Sequence, residues 1–126
     1  MSTTVNSAYS YSPGANITAE ATAAVTGRQF VKISGNRTAG GNLAVAPAAA
    51  GNRPLGVAAD DAAVGQLVHV ARGGVVKVIA AGAIAAGADV QVGAGGAAST
   101  ASTGTVVGFA VTGAADGAVA EIAFYA

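Results

Sequence analysis

The chain has 126 residues, formal net charge zero, no cysteine, and 52% apolar content carried mostly by alanine and valine. Only 10% of residues are charged, against roughly 25% in a typical soluble domain, and 5% are aromatic. These figures leave room for one domain of ordinary size, exclude a disulfide framework or thiolate metal site, and offer no basic cluster for nucleic acid. A core of small side chains buries little apolar surface per residue, and near-zero net charge gives a free protein little colloidal protection. Both properties suit a subunit whose surface is covered by partners.

The start, MSTTVNSAYSYSPG, has neither a basic nor an apolar leader region, so no signal peptide is expected. Residues 1–26 are polar, rich in Ser, Thr, Asn and Ala, without a sustained period. Such a stretch has no core-forming pattern, so the expectation is an extended N-terminal arm over 1–26, followed by a β-rich domain over 27–126. Tyrosine carries a large contact area at modest entropy cost. Tyr9, Tyr11, Pro13 and Ile17 are therefore the candidate contacts between the arm and a neighbouring subunit or partner protein. An arm folded back on its own domain, or crossing to a sister subunit, stays open.

From Arg28 the text changes. QFVKI, NLAVA, LVHVA, GVVKVI, DVQV, TVVGFAV and AEIAFYA are valine-rich or alternating, and glycines separate them. This pattern predicts an all-β fold, a compact barrel or sandwich of about seven to ten short strands. Ala81–Ala88 tempts a helix assignment on alanine content, but Gly82 and Gly87 interrupt it and predict a turn. The apolar run Val78–Ala88, eleven residues between Lys77 and Asp89, is shorter than the roughly 20 needed to span a bilayer. A soluble chain made in a cytoplasm is the expectation.

The sequence also repeats. GVAADDAAVGQLVHV, Gly56 to Val70, lies without a gap over GFAVTGAADGAVAEI, Gly108 to Ile122. Gly56, Ala58, Ala62, Ala63 and Gly65 fall on Gly108, Ala110, Ala114, Ala115 and Gly117. IAAGADVQV (84–92), VTGRQFVKI (25–33) and TAGGNLAVA (38–46) are shorter cousins, each leading through small residues and glycine into a strand. The two long segments are expected to be equivalent strand–loop–strand units.

The repeat also settles the one group of residues that could do acid–base chemistry. Asp60 and Asp61 fall on Thr112 and Gly113, in a loop, where aspartate caps backbone N–H groups. His69, the single histidine, falls on Glu121 and alternates with Val68 and Val70, so it reads as an outward strand residue. A metal site needs three or four converging ligands, which this text does not supply. GAGGAA (93–98) meets a loose dinucleotide pattern, but STASTGTVVG follows and reads as a loop into another strand, where the chemistry requires a helix N-terminus. No G-x-S-x-G elbow occurs, and the sequons at Asn16 and Asn36 are loop residues in a chain without a secretory leader. The reading is a non-enzyme with no cofactor and no metal.

PGANITAEATAAVTGRQFVKI (13–33), PLGVAADDAAVGQLVHVARGGVVKV (54–78), AAGAIAAGADVQV (80–92) and VVGFAVTGAADGAVAEIAFY (106–125) together resemble the capsid decoration (cement) proteins of tailed bacteriophages. The resemblance covers most of the chain and rests on glycine-and-alanine turn patterns. It implies a compact β domain on the outer surface of the assembled head, within the virion. It further implies contact with the major capsid protein at capsomer junctions, a homotrimer, synthesis in a host bacterial cytoplasm, and no nucleic-acid or membrane partner. The rival readings are a head-fibre or carbohydrate/receptor-binding β domain, which calls for exposed aromatics, and a small hydrolase, which lacks a nucleophile–base pair.

Overall fold

Ten short strands organise the chain, and they fall into two successive sets of five. The computed structural model describes residues 10–11 and 14–125. The first set is β1 (Ile17–Ala21), β2 (Phe30–Gly35), β3 (Leu43–Pro47), β4 (Gly56–Ala58) and β5 (Leu67–Ala71). These close into a barrel in the order β1-β3-β2-β4-β5, with β5 pairing back onto β1. The second set is β6 (Val75–Ile79), β7 (Asp89–Val92), β8 (Ala98–Thr100), β9 (Val106–Thr112) and β10 (Val119–Phe124), ordered β6-β10-β9-β7-β8. Among the described residues there is no α-helix, and Ala81–Ala88 is turn plus a single bridge residue, Ile84, as its glycines require. The all-β expectation holds.

The two sets are copies of one topology. β1 pairs antiparallel with β5 through Ala19 and Val68, and β6 pairs with β10 through Val78 and Ala120. Phe30 meets Val57 and Val31 meets Gly56 across β2 and β4, while Asp89 meets Phe109 and Val90 meets Gly108 across β7 and β9. Val25 and Ala62 exchange a backbone bridge, and so do Ile84 and Ala114. Even the parallel β1–β3 pairing, Ala21 with Val45, has its counterpart in the isolated parallel bridge of Ala80 with Ala98. The Gly56–Val70 and Gly108–Ile122 segments are thus equivalent strand–loop–strand units within a duplication that extends over the described chain.

Close backbone approach explains why two of the shared positions are glycine. A Cβ on Gly56 would collide with the Ala71 carbonyl oxygen, and one on Gly108 with that of Ala123. The strand crossing at each site admits no side chain.

Alternation fills each interior. In the first barrel Ile17, Ala19, Val31, Val45, Val68 and Val70 point inward, and in the second Val76, Val78, Val90, Val107, Ala120 and Ile122 do. The position of β1 corrects the expected extent of the arm. Ile17–Ala21 is a barrel strand with Ile17 only 2% exposed, and Val25 is buried as well. The alternation in ITAEA is genuine, but alanine supplies two of its three inward positions, which weakens the apolar signal.

The copies differ at one seam. In the first barrel β1 and β3 share three register pairs and close it; the second set is an open five-stranded sheet, barrel-like only in that the isolated Ala80–Ala98 bridge joins β6 to β8. The outward residues Phe30, Val57 and Ala48 of the first barrel belong to the same apolar cluster as the second barrel's interior, with Ala71 against it. The Phe30 ring lies 5.8 Å from that of Phe124, and the Arg28 carbonyl accepts the Ile79 N–H at 2.9 Å. The outer face of barrel one therefore seals the weak side of barrel two.

Candidate functional site

The residues suspected of chemistry are structural. Asp60 and Asp61 are exposed in the β4–β5 loop, and the Asp61 carboxylate accepts the Gly27 N–H at 2.8 Å, tying that loop to the β1–β2 connection. Asp116 takes the Gly82 N–H in the same way at 2.8 Å. His69 is exposed on β5 between buried Val68 and Val70, opposite Thr18. Among the described residues no three His, Cys, Asp or Glu side chains converge in a way that could hold a metal ion. Within GAGGAA the chain makes a short 3-10 turn, Ala94–Gly96, and enters β8 at its last residue. The expected loop there is thus partly strand. The buried Gln91 anchors the next loop, its Oε1 accepting N–H groups of Ser102 at 2.9 Å and Gly104 at 2.8 Å.

The four candidate contact residues separate. Tyr9 and Pro13 lie outside the described residues. Ile17 is inside the first barrel and unavailable to a partner. Tyr11 is half-buried, packed against the first barrel's apolar cluster, with the Arg37 guanidinium 5.9 Å above its ring and Arg37 Nη1 3.5 Å from its hydroxyl. It sits at a mouth lined by Ile17, Leu43, Leu55 and Arg72. Beside this mouth a second depression is lined by Lys32, Arg53 and Arg72. Four of the six basic side chains thus gather at one end of the first barrel.

An apolar patch lies elsewhere on the molecule. On the outer face of the second barrel Phe109, Ala123 and Val75 stand side by side across β9, β10 and β6. Phe109 is 41% and Val75 61% exposed, and Val111 and Tyr125 are exposed nearby. Sequence reasoning did not find this patch, because Phe109 and Val111 read equally well as interior residues of a valine-rich strand. The internal repeat held a usable signal: Phe109 falls on Val57, an outward position.

The described residues form a duplicated β scaffold with a basic end and an apolar patch, the build of a structural protein. Residues 11–124 match the family described as phage cement protein, and the chain belongs to that family. No curated protein matches the sequence. Among solved structures, the head fiber gp8.5 N base of bacteriophage phi29 superposes with a TM-score of 0.75 at 25% sequence identity, covering 88% of this chain and 93% of that one. The chain is therefore a phage head-associated structural protein.

Proposed function

We propose that the chain decorates the outer surface of an assembled phage head, where it binds the major capsid protein as a homotrimer and reinforces capsomer junctions. The observation that carries this reading is the cement-protein match over 11–124, which spans both barrels. The physical character agrees. Few charges, a strand-rich body and an apolar outer face suit a protein that works while covered. Such a role requires no catalysis, cofactor or metal. Tyr11, with Tyr9 and Pro13 before and after it, is the proposed contact with the shell or with a sister subunit. The test mixes purified protein with undecorated heads, counts bound copies, and follows head integrity on heating. Saturable binding with delayed rupture is expected; heads that take up no protein would overturn the reading.

A second reading, the base of a head fibre, is favoured by the likeness to the phi29 head fiber base. In that case a further fibre segment stands on this module. A receptor-binding surface would have to use Tyr125 and Phe109, the exposed aromatics of the two barrels.

A further inference from the structure

The geometry points to head-to-tail self-association in which the joint between the two barrels is repeated between chains. The Asp89–Phe109–Ala123 face of one copy seats on the Leu43–Leu55–Arg72 mouth of the next. This deepens the homotrimer part of the proposed function and is independent of any contact with the capsid.

The argument rests on the duplication. Within one chain the outward row Phe30–Val57–Ala71 of the first barrel is buried against the second. Its counterpart on the second barrel is the row Asp89–Phe109–Ala123, identical in register, with Asp89 and Phe109 exposed and Ala123 half-buried. The receiving side is duplicated too. Phe30 shares one buried cluster with Val76, Val107 and Phe124, its ring against that of Phe124. The positions equivalent to those three in the first barrel are Ile17, Leu55 and Arg72, which line one mouth. Tyr11 covers part of this mouth and leaves Leu43, Leu55 and Arg72 half-buried. A packing in which two unlike faces meet leaves one of each free at the ends, and such heterologous contacts propagate until a ring closes.

The substitutions between the copies match one another. Where Phe30 meets Phe124 inside the chain, the free faces carry Asp89 and Arg72. An aromatic pair is replaced by an opposite-charge pair at the same two positions. The charge of each barrel agrees: residues 17–72 hold five basic and three acidic side chains, and residues 73–125 hold one and three. Complementary fields of this kind set orientation and suppress like-to-like pairing.

Sedimentation velocity on the purified full chain tests the joint, with Asp89→Arg, Arg72→Asp and the double charge swap. Concentration-dependent association of the wild type is expected, weakened at least about tenfold by each single reversal and restored by the swap. Phe109→Ser, at an exposed position, is expected to weaken association similarly while the circular dichroism spectrum stays unchanged, which covers the case of a reversal that fails to fold. A wild type that stays monomeric to about 1 mM overturns the proposal. So does a wild-type oligomer that ignores Phe109→Ser and both reversals, or reversals that the swap does not rescue. Capsid binding would survive any of these results, since it is read from heads.

Discussion

Phe30 and Phe124 meet at 5.8 Å with their ring planes tilted by 41°, one pointing out of the first barrel and the other into the interior of the second. This contact joins the two barrels through one shared apolar cluster. Phe30→Ala is expected to cost about 3–5 kcal/mol, as for other large buried aromatics. It should also split the thermal transition into two, because it removes the plug from the β6–β8 seam. Differential scanning calorimetry reads both effects, and one sharp transition at the wild-type temperature would contradict the joint as described.

Arg28 holds a φ of 64°, the one described non-glycine residue in the left-handed region, and its counterpart in the second barrel is Gly87 at φ 83°. A side chain there costs on the order of 1 kcal/mol. Arg28→Gly should therefore raise stability by up to that amount, about 4 °C in melting temperature for a chain of this length. A lower melting temperature would show that the exposed guanidinium contributes more than the backbone strain removes.

At the strand crossings, Gly56→Ala and Gly108→Ala should each destabilise by about 2 kcal/mol or more, since backbone must move to admit the methyl group. Urea titration measures the loss. Near-equal losses at the two sites would reflect their equivalence, and a neutral outcome at both would mean that the crossings are looser than described.

Deleting residues 2–14 removes Tyr11 and stops short of β1, which starts at Ile17. The barrels should remain folded by circular dichroism while copies bound per head fall sharply. A tyrosine lost from a packed interface costs about 2 kcal/mol at every site occupied. Wild-type occupancy from a folded truncation would assign attachment to the barrels instead.

Much of this architecture was readable in the text because glycine is dictated by sterics. Gly56 and Gly108 recur since no other residue fits, and the surrounding alanines recur with them. Outside those crossings only the inward–outward parity is common to the copies. Ile17–Ala21 corresponds to Val76–Ala80, and the two stretches share only their final alanine, so β1 was hidden in an apparently patternless segment. The candidate surfaces were less legible still. Whether Val57 or Phe109 faces solvent depends on which barrel abuts it, a relation set by packing between distant segments that no local period encodes.

Every strand pairing stays within its own half of the chain, so the first barrel can complete its strand ladders before the second has left the ribosome. Domains commonly fold in this vectorial way during synthesis. The half-made molecule then displays Phe30 and Val57 to the cell with nothing to cover them. Translation speed through Val75–Phe124 thereby sets how long a sticky intermediate persists, and expression host and temperature become determinants of yield for a protein that is unremarkable once finished.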